Sequence, residues 1–488
     1  MSVAAPQTLA ARFAELARTD PHGVAVTCAD QSITRAELER RSNQLARAYQ
    51  QLGVTRDSFV TIGLPNGIEF VTAAIAAWKC GATPQPISAK LPGRETAAII
   101  ALARPSLVVG VAEEDAPGHQ VVAAGFRPAA DISDSPFDLG AAAALKAPTS
   151  GGSSGRPKLI VSADPATADA LLPLAQVIGM ADRDTVLITG PLYHNAPFTL
   201  TFCGLALGGH VVLMPRFDAA DALASVQAHR VRWMYAVPTM MNRMWRLPER
   251  AGFDVGSLRV VMHMAAPCPA WLKHAWIEWL GAERVLELYA GTEMQAVTVV
   301  AGPEWLAHPG TVGRPVVGEM VVLDPDGAVL PPGEVGEVWM RRGEGMAGSY
   351  RYVGAEAQVR EGGWESVGDM GWMDGEGYLY LADRKADMIH VGGANVYPAE
   401  IENALLEHPQ VRSAVVIGVP HEDLGQVPHA LVETERPLTE DELGSHLAER
   451  LARYKIPRSF ERVDGPLRDE AGKVRRASLV AARTEPDR

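Results

Sequence analysis

The chain has 488 residues, a length that corresponds to about three domain-sized units and excludes a small single-core binding module. Hydrophobic residues make up 47% and charged residues 21% of the chain, which is an ordinary globular composition and argues against wholesale disorder. The 45 basic and 58 acidic residues give a net charge of −13, whereas a nucleic-acid-binding protein usually carries a basic excess. We therefore expect an enzyme without affinity for nucleic acid.

The cysteines and the amino terminus indicate a cytoplasmic protein. The cysteines form neither a CxxC pair nor a disulfide-type spacing, so reduced and mostly buried thiols are expected. They are Cys28, Cys80, Cys203 and Cys268. The first residues lack the regions of a signal peptide, and no stretch approaches the ~18 uninterrupted apolar residues of a membrane span. The sequence does not fix the oligomeric state, and a homodimer is compatible with it.

The first four-fifths of the chain alternates short apolar strands with helices. Strands are predicted at 24–28, 58–64, 185–189, 210–214, 232–236, 258–264 and 285–289. A capping box at Thr34 opens one helix, and further helices are predicted at 68–78, 199–207, 221–229 and 269–280. Apolar strands between helices are typical of parallel, doubly wound sheets that are covered on both faces.

The remainder of the chain changes character twice. Residues 310–380 are rich in Gly, Pro and short alternating strands, which predicts a small barrel-like antiparallel subdomain. After residue 387, strands at 388–391, 411–419 and 429–433 combine with helices at 399–406 and from Thr439 to about Tyr454, where a second capping box opens the helix. We expect an α/β protein with a large N-terminal domain (1–382), a hinge (383–386) and a small α+β C-terminal domain (387–488).

The segment 149–158, TSGGSSGRPK, carries the clearest chemical signal. Its glycines let the backbone approach a ligand closely, and consecutive free N–H groups can form a cradle for an anion. Hydroxyl donors and a lysine ammonium complete a site suited to polyphosphate. The candidate residues are Ser150, Gly151, Gly152, Ser153, Ser154, Gly155 and Lys158.

Three other interpretations of this segment remain open at this point. A flexible Gly/Ser linker would not need the Pro-Lys that follows. A Walker A loop requires Gly-Lys-Ser/Thr at the start of a helix, whereas residues 159–161 favour a strand. A hydrolase nucleophile elbow would use Ser153, but it requires a strand before the serine and a helix after it.

The segment resembles the phosphate-binding motif of the adenylate-forming (ANL) superfamily, which includes acyl-CoA synthetases, luciferases and peptide-synthetase adenylation domains. It departs from the usual form at Gly151, Ser153, Ser154 and Leu159. Further motifs follow in the order typical of the family and cover nearly the whole chain. The resemblance implies an acid–CoA ligase that uses ATP, Mg²⁺ and coenzyme A, and forms an acyl-adenylate before the thioester.

The resemblance also implies roles for individual residues. Tyr289 would pack on adenine, Thr292 would contact phosphate, Glu293 would hold Mg²⁺ and Lys473 would reach the reacting carboxylate and α-phosphate. Asp369 would accept hydrogen bonds from the ribose, Arg384 would contact ribose or phosphate, and the hinge residue, usually Asp or Lys, is Ala386. Other implied nucleotide contacts are Ala265, Ala266, Pro267, Ala290 and Gly291. The loop expected to face the CoA channel contains Gly392, Gly393, Ala394 and Asn395.

The acid pocket implied by the resemblance contains a histidine, His194, at the position of a gate between the acid and thiol channels. Its other residues are Tyr193, Asn195, Met264, Ala265 and Gly291. Several of these side chains are small, and the residues in these motifs most resemble those of ligases for polycyclic acids. We therefore expect a bulky apolar acid such as a steroid or terpenoid acid. Fatty or aryl acids, and transfer to a free carrier protein instead of CoA, are the alternatives.

Overall fold

The computed structural model describes residues 6–151, 157–469 and 472–484. Its central element is a nine-stranded sheet whose inner strands are parallel and whose two edges are antiparallel. Across the sheet, the strands are Arg314–Val317, Val297–Ala301, Val285–Tyr289, Val260–His263, Trp233–Ala236, Thr185–Ile188, His210–Leu213, Val24–Cys28 and Gln31–Thr34. The strands predicted in the first four-fifths of the chain therefore all lie in this sheet, except the strand predicted at 58–64.

That strand, observed at Phe59–Ile62, belongs to a second, fully parallel sheet of four strands. The other three are Thr83–Pro86, Leu107–Val109 and Val121–Val122. Helices surround the two sheets at Leu9–Thr19, Arg35–Gln51, Ile68–Lys79, Gly93–Ala103, Leu172–Val177, Asn195–Ala206, Ala219–His229, Pro238–Trp245, Ala270–Leu280 and Gly302–Ala307. Apolar side chains from both sheets and their helices merge into one large core, as expected where sheets are buried on both faces.

The antiparallel region predicted for residues 310–380 is a six-stranded sheet. Its strands are Glu319–Leu323, Gly336–Arg341, Gln358–Arg360, Trp364–Ser366, Asp369–Met373 and Leu379–Arg384. A separate three-stranded antiparallel sheet contains Tyr350–Val353, Pro157–Ser162 and Thr149–Gly151. This last sheet holds both ends of the predicted phosphate-binding segment.

The C-terminal part of the chain forms its own sheet and its own core. The strands are Ile389–Val391, Ala394–Val396, Val411–His421, Gly425–Thr434 and Ser459–Arg462, and the helices are Pro398–Leu406, Glu440–Ala448 and Arg476–Thr484. In the described ranges, no helix combines the length and the apolar character that crossing a membrane would require.

Two helix predictions need correction. The helix predicted from Thr439 to about Tyr454 ends at Ala448; Arg450 Nε donates to Glu407 Oε2 at 2.7 Å, and Ala452 is in extended conformation. The helix predicted at 199–207 begins four residues earlier, at Asn195, with His194 in extended conformation before it. This earlier start brings the polar residues of the predicted acid pocket to the amino end of a helix.

The two capping boxes also differ. The Thr439 box is complete, with the Glu442 carboxylate accepting from the Thr439 N–H at 2.8 Å and Thr439 Oγ1 accepting from the Glu442 N–H at 3.1 Å. At Thr34 only half of the box forms. Thr34 Oγ1 accepts from the Glu37 N–H at 3.2 Å, while the Glu37 carboxylate pairs with Arg41 instead.

Candidate active site

One large cavity collects most of the residues that the sequence analysis selected. It opens beyond the carboxyl ends of the parallel strands, where open α/β sheets bind ligands, and the C-terminal domain closes its other side. The predicted residues that border it are Lys158, Tyr193, His194, Asn195, Met264, Ala265, Ala266, Pro267, Tyr289, Ala290, Gly291, Thr292, Glu293, Asp369, Arg384, Ala386 and Lys473.

The phosphate-binding segment is described only at its two ends. Residues 152–156, and with them the predictions for Gly152, Ser153, Ser154 and Gly155, lie outside the described residues. Ser150 and Gly151 belong to the backbone of the strand Thr149–Gly151. Because a strand rather than a helix follows the segment, at Pro157–Ser162, neither a Walker A loop nor a nucleophile elbow forms here.

Three side chains form the charged end of the cavity. Glu293 is 7% exposed, and its Oε1 accepts a hydrogen bond from the Tyr352 hydroxyl at 2.5 Å. Lys158 Nζ lies 3.7 Å from the same carboxylate oxygen and 3.7 Å from the centre of the Tyr352 ring. Burial lowers the pKa of Lys158, although the nearby Glu293 carboxylate opposes this shift.

The predicted nucleoside contacts are joined by a shared carboxylate. Asp369 Oδ2 accepts from the Tyr289 hydroxyl at 2.7 Å, and Asp369 Oδ1 lies 3.2 Å from Arg384 Nε. Burial, and then the Asp369 carboxylate, raise the pKa of Tyr289, while the same carboxylate raises the pKa of Arg384. Since a carboxylate has about four lone-pair sites, Asp369 keeps acceptor capacity for ribose hydroxyls.

Lys473 reaches the cavity from the C-terminal domain. Two hydrogen bonds to Asp469 hold it there: the Gly472 N–H donates to the Asp469 carbonyl, and the Lys473 N–H donates to Asp469 Oδ1, both at 2.9 Å. Gly472 has φ +77° and lies against Thr239 and Val237 of the N-terminal domain. The side chain is exposed within the cavity. Desolvation by the surrounding protein lowers the pKa of Lys473, although the nearby Asp469 carboxylate opposes this shift.

The predicted acid pocket begins at His194. Burial, with a smaller contribution from Lys473, lowers the pKa of His194 to about 3, so its imidazole is neutral at physiological pH. Within the described chain, neither His194 Nε2 nor Asn195 Oδ1 has a hydrogen-bond partner, although both atoms are buried. Apolar side chains form much of the surrounding wall, and they are Leu174, Ala196, Leu200, Met240 and Met264.

Several polar contacts hold the two domains together at this cavity. Arg246 Nη1 donates to the Pro409 carbonyl at 2.6 Å, and Asn242 Nδ2 donates to the Arg412 carbonyl at 3.3 Å. Both donors come from the N-terminal domain, at and just after the helix Pro238–Trp245. These contacts fix the orientation in which Lys473 enters the cavity.

Asp383, the first residue of the predicted hinge, makes a further contact across the domain junction. Its Oδ2 accepts from the N–H of Ala399 at 2.7 Å, so the last strand of the N-terminal domain caps the helix Pro398–Leu406 of the C-terminal domain. Burial raises the pKa of Asp383 to about 6. Ala386 itself is exposed.

The loop predicted to face CoA lies away from the cavity. Gly392 and Gly393, with φ of +55° and +87°, form the turn between two short paired strands, and Ala394 and Asn395 begin the second of these. His390 Nδ1 and Asn395 Oδ1 are 3.1 Å apart. A role for this loop in CoA binding therefore requires a different orientation of the C-terminal domain, and it stays a prediction.

The residues present fit a single-carboxylate Mg²⁺ site. Over the described ranges, no group of three or more His, Cys, Asp or Glu side chains is arranged to hold a metal. Mg²⁺ on a nucleotide usually has one or two carboxylate ligands, with phosphate oxygens and water supplying the rest. Glu293 suits this role, because Oε1 accepts from Tyr352 whereas no described residue donates a hydrogen bond to Oε2.

The sequence analysis missed three residues that contact predicted site residues or the domain junction. Tyr352 lies outside every motif and becomes visible only through strand pairing. Arg246 has no local signal, because its acceptor is a backbone carbonyl more than 160 positions away. Asp383 lies directly before Arg384 in the predicted hinge, but the sequence did not predict that its side chain caps the helix Pro398–Leu406.

Comparisons with known proteins agree with this geometry. A family model described as AMP-binding enzyme matches residues 13–351, and one described as AMP-binding enzyme C-terminal domain matches residues 400–473. The 2-succinylbenzoate–CoA ligase of Bacillus licheniformis is 29% identical over 477 residues, which cover 95% of this chain and 98% of the relative. A feruloyl-CoA synthase of an Amycolatopsis species is 31% identical over 471 residues, which cover 94% and 95%.

A solved structure shares the complete fold. The o-succinylbenzoate CoA synthetase of Bacillus subtilis, in complex with its acyl-adenylate intermediate, aligns with a TM-score of 0.83 and 26% identity. The alignment covers 97% of this chain and 98% of that structure. The fold and the cavity thus define an adenylate-forming enzyme with a large N-terminal and a small C-terminal domain. The chain belongs to the AMP-binding enzyme family of the ANL superfamily. It is an AMP-forming acid–CoA ligase that uses ATP, Mg²⁺ and coenzyme A.

Proposed function

We propose that this ligase activates a bulky, largely apolar cyclic acid, and that Lys473, Glu293 and Asp369 act on the reacting groups in one cavity. These roles are assigned because the three side chains border the same cavity. Relatives named 2-succinylbenzoate–CoA ligase and feruloyl-CoA synthase support a ring-containing acid, whereas a relative named long-chain-fatty-acid–CoA ligase, 30% identical, supports the fatty-acid alternative. They give no specific support to the steroid or terpenoid acid that the motif wording suggested.

The wall of the acid pocket supports an apolar substrate. Leu200 and Met240 are almost fully buried, and the small residues Ala196, Ala290 and Gly291 leave room beside them. The described carboxylate beside this wall is that of Asp469, whose Oδ2 lies 3.9 Å from His194 Nε2. The neutral His194 presents a polar edge without a charge, which suits an acid whose only ionised group is the reacting carboxylate.

The first half-reaction joins the acid to AMP. A carboxylate oxygen of the acid attacks the α-phosphorus of ATP, the bond from this phosphorus to its bridging oxygen breaks, and pyrophosphate leaves. The ammonium of Lys473 offsets the repulsion between the two anions, and does so most effectively in a site with little water. We assign Lys158 to the departing phosphates, and Tyr289 with Asp369 to the orientation of the nucleoside. Glu293 would hold Mg²⁺, which would supply further charge neutralisation on the phosphates.

The second half-reaction transfers the acyl group to sulfur. The thiolate of CoA attacks the acyl carbonyl carbon, the bond to the phosphate oxygen breaks, and AMP leaves. We propose that domains 1–382 and 387–488 reorient about 383–386 between the two steps, which is a known form of hinge motion. The motion withdraws Lys473 and brings Gly392, Gly393, Ala394 and Asn395 towards the channel.

An acid panel tests the substrate class. Each acid is incubated with ATP and Mg²⁺, with and without CoA, and pyrophosphate and thioester are measured; the panel contains an aryl propenoic acid, a steroid acid and a medium-chain fatty acid. We expect pyrophosphate release with the ring-containing acids and thioester only when CoA is present. Faster turnover of the fatty acid would reject the cyclic substrate. Thioester formation on a phosphopantetheine carrier protein but not on CoA would show that the acyl acceptor is a carrier protein and not CoA.

The cellular location is a second proposal. The four cysteines are all unpaired, which supports a reducing compartment such as the cytoplasm. Fractionation of cells that express the tagged chain tests this directly, and recovery from an oxidising compartment would contradict it.

A further inference from the structure

The side chain of Tyr352 contacts both charged groups at the phosphate end of the cavity. Its hydroxyl donates to Glu293 Oε1 at 2.5 Å, and its ring centre lies 3.7 Å from Lys158 Nζ. A hydroxyl bonded to a carboxylate is a strong, charge-assisted contact, and an ammonium over an aromatic face is attracted by the ring. One residue therefore binds the proposed metal ligand and the phosphate lysine at the same time.

Strand pairing explains how Tyr352 reaches these partners. The strand Tyr350–Val353 is antiparallel to Pro157–Ser162, and Tyr352 lies opposite Ile160. Because side chains two residues apart share one face of a strand, Lys158 projects on the same face as Tyr352. The preceding Ser349 anchors the strand, since its Oγ donates to the Glu293 carbonyl at 2.6 Å.

Lys158 and Glu293 form an ion pair that is longer than a hydrogen bond. Lys158 Nζ and Glu293 Oε1 are 3.7 Å apart, about 0.9 Å more than the 2.8 Å typical of a charge-assisted N–H···O hydrogen bond. If the ammonium moved into a short hydrogen bond with the carboxylate, Glu293 would lose much of its affinity for a cation and Lys158 much of its affinity for phosphate. The hydroxyl of Tyr352 donates a hydrogen bond to Glu293 Oε1, and its ring lies against the Lys158 ammonium.

We propose that Tyr352 is a positioning residue, whose hydroxyl orients Glu293 towards the divalent cation and whose ring holds Lys158 for the phosphates. The proposal rests on the proposed function, because it takes Glu293 as the metal ligand. Partners of a metal ligand that lie outside the coordination sphere commonly change metal affinity by about 10- to 100-fold when they are removed. The two contacts of Tyr352 can be separated by choosing the substitution.

Two variants separate the hydroxyl from the ring. Tyr352→Phe removes the hydrogen bond and keeps the ring, so it should weaken binding of the divalent cation by about tenfold and leave metal-free nucleotide binding unchanged. Tyr352→Leu removes both, so it should also weaken metal-free nucleotide binding, because the Lys158 ammonium then loses the aromatic face that holds it. Tyr378→Phe is the matched control, since it removes a hydroxyl that donates to Glu304 Oε1 at 2.8 Å, outside the cavity.

Metal binding is measured with Mn²⁺ by electron paramagnetic resonance, in the presence of a non-hydrolysable ATP analogue, and metal-free ATP binding is measured by calorimetry. Thermal unfolding establishes that each variant is folded. If Tyr352→Phe binds Mn²⁺ as tightly as Tyr378→Phe does, the positioning role is wrong. Glu293→Gln separates the two hypotheses: unchanged Mn²⁺ binding in that variant would overturn the assignment of Glu293 in the proposed function, whatever the behaviour of Tyr352.

Discussion

Lys385 and Asp387 are separated by a single residue, yet their side chains are bound to different domains. Lys385 Nζ donates to Glu337 Oε2 at 3.0 Å, within the antiparallel sheet of the N-terminal domain. Asp387 Oδ2 accepts from Arg476 Nε at 3.1 Å, within the C-terminal domain. Ala386, between them, makes no hydrogen bond to any described residue. Rotation of one domain against the other can therefore be absorbed at this alanine without breaking either ion pair.

Ala386→Pro tests the hinge. Proline restricts both its own φ and the residue before it, so we expect pyrophosphate release to persist while thioester formation from supplied acyl-AMP slows. If the second orientation is disfavoured by the ~3 kcal/mol typical of a misplaced proline, the loss is about 100-fold. Ala386→Ser is the control and should retain both half-reactions. Normal thioester formation in the proline variant would place the hinge elsewhere.

Lys473→Ala tests the division of labour between the two orientations. Loss of one preorganised donor to a developing charge commonly lowers the rate by about 10²- to 10³-fold, and we expect this loss in acid-dependent pyrophosphate release. Thioester formation from supplied acyl-AMP should change little, because the lysine is withdrawn at that step. Lys455→Ala is a matched control in the same domain, where the ammonium pairs with Glu400 at 2.7 Å. Equal loss of both half-reactions would contradict the model of two orientations.

Ala196→Phe tests the acid pocket. Ala196 borders the cavity at the start of the helix Asn195–Ala206, and a phenyl ring there occupies space that we assign to the substrate. We expect kcat/KM for the ring-containing acid to fall at least about tenfold, with a much smaller effect on an acid of three or four carbons. Ala224→Phe, on the exposed side of the helix Ala219–His229, controls for added bulk. Equal losses for both acids would exclude Ala196 from the pocket.

His210 makes the stability of the N-terminal domain depend on pH. Burial, with contributions from His229 and Arg35, lowers its pKa to about 4. The pKa of His210 in the folded protein lies below the value of about 6.5 expected in the unfolded chain, so below pH 6.5 protons bind preferentially to the unfolded chain. The free energy of unfolding is therefore highest above pH 6.5 and decreases as the pH falls towards 4. Between pH 7 and pH 5, the protonation of this histidine in the unfolded chain lowers the free energy of unfolding by about 2 kcal/mol.

Denaturant unfolding followed by tryptophan fluorescence at the two pH values checks this prediction. His210→Gln should lose less stability than the parent protein between pH 7 and pH 5, because a glutamine does not titrate. His22→Gln, at an exposed position, should lose as much as the parent. An identical pH dependence in the parent and in His210→Gln would show that this imidazole does not titrate as described.

Strand positions and motif order could be predicted from the sequence because both are local. The strand 285–289 was predicted with its observed bounds. Its mostly apolar residues end at Tyr289, and the turn residues that lead to Glu293 follow directly. Helix ends were less accurate, because tertiary contacts decide them. Just after the helix that ends at Ala448, Arg450 Nε donates to Glu407 Oε2, 43 positions away, and no periodicity in the sequence contains that contact.

The sequence by itself determined the chemistry: a glycine-rich anion segment, a glutamate after a buried strand, and a lysine near the end of the chain. Their order identified the adenylate-forming family, because these side chains suit phosphate and Mg²⁺ wherever the fold places them. Only the tertiary structure decided which groups meet. Tyr352 meets Lys158 because two antiparallel strands are in register, and Lys473 reaches the cavity because the C-terminal domain has one particular orientation. Long-range pairing and domain orientation depend on the whole packed core, so no local pattern records them.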